Sequence, residues 1–99
     1  MAAFIVGEVE VHDQTIYDEY RKAIPAILEK FGGKFVVRGG KIKLLEGETL
    51  PKRMVILEFE SMEKLETWYN SPEYAPLIEM RQRCATSRLI SVEGFSPTS

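Results

Sequence analysis

Residues 53–69 read RMVILEFESMEKLETWY and place a predicted β-strand directly before a predicted α-helix. Val55, Leu57 and Phe59 share one side of this strand, while the other side begins apolar and ends in glutamates. Ser61 then offers a hydroxyl that can cap a helix whose apolar residues recur at helical spacing. We expect the first side of the strand to pack on helices and the second to need another cover.

Three further strands are predicted around this unit. Residues 3–11 and 34–38 are rich in β-branched and aromatic side chains, which favour strands, and residues 88–95 predict the last strand. Residues 42–45 are predicted to extend the second strand or to form a small hairpin arm. The chain therefore supplies four strands for one sheet.

Two helical regions separate these strands. A stripe of apolar residues over positions 16–31 predicts the first helix, which keeps its phase beyond Pro25 and ends at Gly32. The second region starts at Ser61, and a serine and a proline at 71–72 predict that the helix restarts there and runs to about residue 85. The order β-α-β-β-α-β follows.

This order predicts a single α+β domain over residues 1–95 with ferredoxin-like topology. Right-handed connections then give a four-stranded antiparallel sheet in the order 4-1-3-2, with the helices on one face. Residues 96–99 are predicted to form a flexible C-terminal tail.

The composition limits the partners of the protein. Thirteen basic and fifteen acidic side chains give a net charge of −2, which provides no positive field for nucleic acid or an anionic membrane. No apolar stretch approaches the roughly 20 residues of a membrane-spanning helix. The single cysteine, Cys84, allows no internal disulfide and favours a reducing compartment. We predict a cytoplasmic protein that binds neither nucleic acid nor membrane.

The side of the sheet away from the helices raises a problem of burial. If all strands are regular, this side carries six apolar residues, namely Phe4, Val6, Val36, Met54, Ile56 and Leu89. An exposed apolar patch usually marks an interface, and a two-fold pairing of sheets is the simplest cover. We therefore predict a homodimer that pairs sheet against sheet.

Charged residues fall on the same side under the same assumption: Glu8, Glu10, Arg38, Glu58 and Glu93. Two interpretations stay open, because such groups must be paired or shift their pKa when covered. They form ion pairs at the dimer interface, or an acid and an arginine contribute to a small-molecule pocket. In the second case Glu8, Arg38 and Glu58 form the floor of a cleft between sheet and helices, and Tyr69 and Arg81 its wall.

Signals for catalysis are weak. His12 is the sole histidine, so no histidine metal cluster is possible within one chain, and we predict neither a metal nor a cofactor. Its position at a strand-to-helix junction suits an exposed loop residue or a general base. The candidate catalytic residues are His12, Glu8 and Glu58. The candidate substrate-binding residues are Arg38, Tyr69 and Arg81, where either arginine would hold an anionic or enolate oxygen.

Two stretches carry a resemblance to a known family. The first contains GGKF at 32–35, RGG at 38–40 and LEG at 45–47; the second is WYNSPEY at 68–74, followed by Arg81 and by VEG at 92–94. Together they resemble the family catalogued as domain of unknown function 1330, over nearly the whole chain. The resemblance implies a dimeric α/β-barrel in which two ferredoxin-like sheets face each other, and it implies no particular activity.

Three hypotheses about function follow. The leading one is a homodimer that binds a small organic molecule, anionic or carbonyl-bearing, in the cleft between sheet and helices. The second is a purely structural or partner-binding dimer. The third is a cofactor-independent enzyme, monooxygenase-like or isomerase-like, and it has fold analogy alone behind it.

Overall fold

A computed structural model describes residues 1–95, and the predicted tail at 96–99 lies outside the described residues. The strands are β1 (Ala3–Val11), β2 (Lys34–Arg38), β3 (Arg53–Phe59) and β4 (Ala85–Glu93). The helices are α1 (Gln14–Lys30), α2 (Met62–Tyr69) and α3 (Ala75–Cys84). All strand pairs are antiparallel and the sheet order is β2-β3-β1-β4. This is the predicted 4-1-3-2 order, so the predicted ferredoxin-like α+β fold is confirmed.

The helix ends follow from local chemistry. The Asp13 carboxylate accepts a hydrogen bond from the backbone N–H of Ile16 (3.2 Å), and the Ser61 hydroxyl accepts one from Lys64 (3.2 Å). Pro25 lies inside α1, which continues to Lys30 as one element. Gly32 follows with a φ of +78°, which glycine adopts without Cβ strain. Within residues 1–95, every helix is too short or too polar to cross a membrane.

The segment after α2 differs from the prediction of a helix beginning at residues 71–72. Ser71 instead closes a turn, where its hydroxyl donates to the Trp68 carbonyl (2.7 Å) and accepts from the Tyr74 N–H (3.2 Å). The following helix starts at Ala75, with Pro76 in its first turn, where the missing N–H costs no helical hydrogen bond. No loop separates α3 from β4, so β4 starts three residues earlier than predicted, at Ala85.

The connection between β2 and β3 also differs from both predicted alternatives. Residues 42–45 form neither a strand extension nor a hairpin arm, and residues 39–52 contain no helix or strand. Leu45 in this segment is 85% exposed. The second strand therefore ends at Arg38.

The strand alternation gives the sheet two different faces. Ala3, Ile5 and Val9 of β1 point toward the helices and are buried; we call this side the helix face. The core on this face also includes Ile24, Leu28, Leu57, Phe59, Leu65, Trp68, Tyr74 and Leu77. The opposite side is the open face, on which Phe4, Val6 and Glu8 pair with Glu58, Ile56 and Met54.

The prediction that Arg38 lies on the open face is wrong. The pairing of β2 with β3 shifts by one residue between Phe35 and Val37, so Val36 is an extra residue in the strand and is 50% exposed. Because side chains alternate along a strand, one extra residue moves everything after it to the other face. Arg38 consequently pairs with Val55 and lies on the helix face.

Leu89 and Glu93 were also predicted on the open face, and both assignments are wrong. In the pairing of β1 with β4, Leu89 lies opposite Gly7, and Glu93 lies opposite Ala3. Both partners belong to the helix face, and Leu89 packs against the core there. The open face of β4 instead carries Ile90 and Val92, each 46% exposed.

Candidate functional site

The sheet separates the residues that were predicted to form one cleft. Glu8 and Glu58 lie on the open face, whereas Arg38 and Arg81 line a cleft on the helix face. Tyr69 packs beside the ring of Tyr74 (5.9 Å between centroids) and lines a different, shallow depression. The predicted floor is therefore wrong for both glutamates, and the structure brings together only the two arginines.

The cleft that holds these arginines lies between the helix face and the helices, and we call it the inner cleft. Its volume is about 50 Å³, and its polar lining consists of Arg21, Arg38, Arg53, Arg81, Tyr17, Tyr20, Tyr74 and Trp68. Among residues 1–95, no aspartate or glutamate lines it. Nearly all of the accessible surface inside the cleft is apolar. The four guanidinium groups around it, with no carboxylate among the lining residues within 1–95, favour an anion over a cation there.

Arg81 is the buried cation of the inner cleft. It projects from α3 and is only 6% exposed, and it lies beside the hydroxyls of Tyr74 and Tyr20. Burial acts to lower the pKa of Arg81, but these two tyrosine oxygens outweigh it and raise the pKa above its ordinary value. The guanidinium therefore stays charged, and a buried charge needs a partner.

The two tyrosines form a hydroxyl pair next to Arg81. Their oxygens are 2.8 Å apart, so one hydroxyl donates to the other and one proton is left for a further acceptor. Burial, followed by the proximity of Tyr74, raises the pKa of Tyr20 well above its usual range, and burial raises that of Tyr74. Both groups are thus neutral donors at physiological pH.

Three buried N–H groups around the inner cleft have no hydrogen-bond acceptor within residues 1–95. They are Nε of Arg81, Nε1 of Trp68 and Nε of Arg21, and all three residues line the cleft. Buried polar groups in folded proteins are almost always paired, so unpaired ones call for an explanation. All three are donors, and the group that would complete them is an acceptor.

Arg38 and Arg53 are held in place by the protein itself. Arg38 stacks on the ring of Phe35 (4.3 Å from Cζ to the ring centroid) and donates to the backbone carbonyl of Arg21 (2.6 Å). Arg53 donates from Nε to the hydroxyl of Tyr17 (3.0 Å). Partial burial, and then the nearby Arg21 and Arg53, lower the pKa of Arg38.

Gly39 makes room for this arrangement. Its φ is +71°, and a Cβ atom built on it would lie 2.5 Å from Cζ of Arg53. The RGG stretch at 38–40 thus supplies Arg38 to the cleft, and its Gly39 leaves space for the side chain of Arg53.

Most of the polar lining was missed by the sequence-based prediction. Tyr17, Tyr20, Arg21 and Ile24 follow spacings of three and four along α1 and therefore share one helical face. That spacing could have placed Arg21 beside the tyrosines. No comparable signal identified Arg53, because an arginine at the start of a strand is usually exposed to solvent.

The other candidate residues lie outside the inner cleft. On the open face, Glu8 pairs with Arg88 (3.3 Å) and Glu58 with Lys34 (3.8 Å), within the same chain. His12 is exposed, and its Nε2 lies 2.7 Å from the hydroxyl of Thr86. Within residues 1–95 there is no cluster of His, Cys, Asp or Glu suited to a metal ion.

Solved structures share this fold at low sequence identity. A protein of unknown function from Rhodopseudomonas palustris, RPA0582, is 22% identical, with a TM-score of 0.77 over 97% of this chain and 84% of that one. SnoaB, a cofactor-independent oxygenase from Streptomyces nogalater, is 13% identical, with a TM-score of 0.66 over 96% of this chain and 94% of that one.

A third similar structure is a dimeric ferredoxin-like protein of unknown function from Jannaschia sp. CCS1. It is 13% identical, with a TM-score of 0.65 over 95% of this chain and all of that one. No curated protein matches the chain. The family model described as domain of unknown function (DUF1330) matches residues 2–95, and the chain therefore belongs to this family.

Proposed function

We propose that this protein binds a small organic anion in the inner cleft. The observation that carries the proposal is the set of three buried N–H donors without an acceptor, on Arg21, Trp68 and Arg81, around a cleft that no carboxylate lines within residues 1–95. An anion held there would bring acceptor oxygens to donors of this set and would neutralise the buried charge of Arg81.

A carboxylate suits this site better than a neutral carbonyl group. A planar guanidinium matches the two oxygens of a carboxylate, and the Tyr20–Tyr74 hydroxyl pair offers a further proton. The cleft volume of about 50 Å³ is well below the roughly 300–1,000 Å³ of sites that enclose drug-sized ligands. The enclosed part of the ligand is thus a compact group.

Calorimetric titration with acetate and propanoate, compared with acetamide and propanamide, tests the proposal. The acids should bind and the amides should not, and Arg81→Gln should weaken acid binding about tenfold or more because it removes a charged hydrogen-bond donor. Arg83→Gln is the matched control, since Arg83 is an exposed arginine of the same helix outside the cleft.

Loss of folding must be separated from loss of binding in this experiment. Far-UV circular dichroism of Arg81→Gln should match that of the parent, and Arg81→Lys should recover part of the affinity because it keeps the charge but not the planar fork. Equal heats for acids and amides, or unchanged affinity in a folded Arg81→Gln variant, would reject anion binding at this site.

We also propose that the protein is a homodimer that covers its open faces. Apolar residues of three strands share this face, including Val6, Ile56 and Ile90, and a similar ferredoxin-like protein is described as dimeric. Light scattering at micromolar concentration should give twice the chain mass of 11.3 kDa. A mass of one chain would contradict the dimer and leave the inner cleft unaffected, because the cleft lies on the other face.

The geometry gives less support to proton-transfer catalysis. His12, Glu8 and Glu58 lie outside the inner cleft, so the cleft offers tyrosine hydroxyls and guanidinium groups as proton-bearing groups. The similarity to the oxygenase SnoaB concerns the fold, at 13% identity. Binding of an anion is therefore the function that we propose, with a cytoplasmic location suited to the lone buried Cys84.

A further inference from the structure

We infer that the ligand of the inner cleft carries two anionic groups, with one carboxylate enclosed beside Arg81 and a second held at the mouth by Arg38. This inference rests on the proposed function and adds the chemical class of the ligand. It follows from how the cationic groups are distributed between the interior and the surface.

The cleft has a buried end and an exposed end. Arg81 at the buried end is 6% exposed, whereas Arg38 is an exposed residue. Arg38 and Arg21 line the inner cleft and also a surface depression together with Asp18, Lys22 and Pro25. The two arginines therefore mark the place where the cleft opens between α1 and the end of β2.

The charges at the mouth exceed what the protein neutralises. Asp18 pairs with Arg21 at 3.6 Å, but within residues 1–95 no carboxylate lies within ion-pair distance of Arg38 or Arg53. Arg21 and Arg53 are close enough to Arg38 to lower its pKa, so the three positive charges repel one another. An anion at the mouth would relieve this repulsion.

The contacts of Arg38 orient it for such a group. Its stacking on Phe35 occupies one face of the guanidinium, and its bond to the Arg21 carbonyl uses one N–H of a terminal nitrogen. A guanidinium has five N–H donors in total, so others remain for a ligand. The Arg53 bond to Tyr17 likewise uses only Nε. Preorganised arginines lose little side-chain entropy when they bind a carboxylate.

The size of the cleft indicates that only one of the two carboxylates is enclosed. A volume of about 50 Å³ admits a few water-sized groups, enough for one carboxylate and not for a whole dicarboxylic acid. A second carboxylate on a short aliphatic chain would extend through the mouth. Apolar residues also line the cleft, among them Ile24, Val55 and Leu57, and these suit methylene groups.

The experiment compares dicarboxylates with half-amides of the same length. Malonate, succinate, glutarate and adipate are titrated calorimetrically against the parent protein, beside succinamate, glutaramate and propanoate. At the best chain length, the dicarboxylate should bind at least about tenfold more tightly than its half-amide. Arg38→Gln should abolish this advantage, so that the dicarboxylate and its half-amide then bind with similar affinity, whereas Arg83→Gln should keep the tenfold difference.

The outcomes distinguish this inference from the proposed function. If dicarboxylate and half-amide bind equally, or if Arg38→Gln weakens propanoate as much as succinate, the second anionic group is rejected while anion binding stands. If no carboxylate binds to the parent protein, the proposed function fails and this inference fails with it.

Discussion

The two faces of the sheet carry charge in opposite ways. On the open face, Glu8 and Glu58 have basic partners within the same chain, at 3.3 and 3.8 Å. On the helix face, Arg38 and Arg81 have no carboxylate within that distance in residues 1–95, and Arg81 is buried. Paired surface charges contribute little stability and need no ligand. An unpaired buried cation costs free energy, so a buried arginine without a carboxylate is a candidate binding group.

The faces also differ in what covers their apolar residues. The helix face is closed by its own helices, and the ring of Trp68 stacks on that of Tyr74 at a centroid distance of 4.1 Å. On the open face, Ile90 and Val92 remain 46% exposed in one chain. The helix face thus belongs to the folding of the chain, whereas the open face is the surface through which we propose that two chains associate.

The largest expected effect comes from a pair of substitutions, one on each face, that separates folding from association. Trp68→Ala should lower the free energy of unfolding by about 3–5 kcal/mol, because it empties a fully buried aromatic site. Ile90→Asp should leave the chain folded and should dissociate the dimer, since a carboxylate would be buried at the interface without a partner. Urea denaturation and light scattering measure the two effects.

A reversed pattern would contradict the division. If Ile90→Asp unfolds the chain as severely as Trp68→Ala, the open face is part of the folding core. If it leaves the measured mass at two chains, the dimer forms through another surface.

A smaller effect tests whether the backbone at the end of β2 serves the inner cleft. Gly39→Ala should cost about 1–2 kcal/mol, because alanine is strained at a φ of +71° and its Cβ would displace Arg53. It should also weaken dicarboxylate binding. Gly40→Ala is the matched control, since nothing lies within 4 Å of a Cβ there. Equal urea midpoints for the two variants would show that Arg53 is not confined by Gly39.

The strand alternation predicted the fold and most of the open face, but it could not predict the bulge in β2. The stretch KFVVR contains no glycine and no proline, so nothing in it indicates that Val36 is an extra residue. The shift becomes visible only in the pairing with β3. That single residue moved Arg38 from the predicted interface to the inner cleft.

For a related reason, the sequence did not determine which side chains of β4 face the helices. Leu89 and Ile90 are adjacent and both apolar, so the sequence does not say which of them faces the helices. The pairing with β1 decides it, because Leu89 lies opposite Gly7, where the absent side chain leaves space. Arg81 lines a cleft between the sheet and the helices, and its role in binding stays a prediction. The polar residues around it come from α1, β2, β3, α2 and the turn after α2, so only the tertiary structure brings them together.

The smallest expected effect concerns pH and again belongs to the helix face. The pKa of Tyr20 is raised in the folded state, above the value of about 10 expected in the unfolded chain. The folded chain then holds this proton after the unfolded chain has lost it. The stabilisation is fully present below about pH 10 and is lost as the pH rises further.

Urea midpoints measured between pH 8 and pH 11 should therefore be steady at first and fall above about pH 10. Tyr20→Phe should make that fall shallower, by up to one proton's worth of slope or about 1.4 kcal/mol per pH unit. Tyr74→Phe should act in the same direction, because burial raises the pKa of Tyr74 as well. The slope is the informative quantity, since either variant also loses the hydroxyl pair and so shifts the midpoint at every pH. An unchanged slope in both variants would mean that these hydroxyls titrate as they do in water, and that the inner cleft is more open to solvent than its burial indicates.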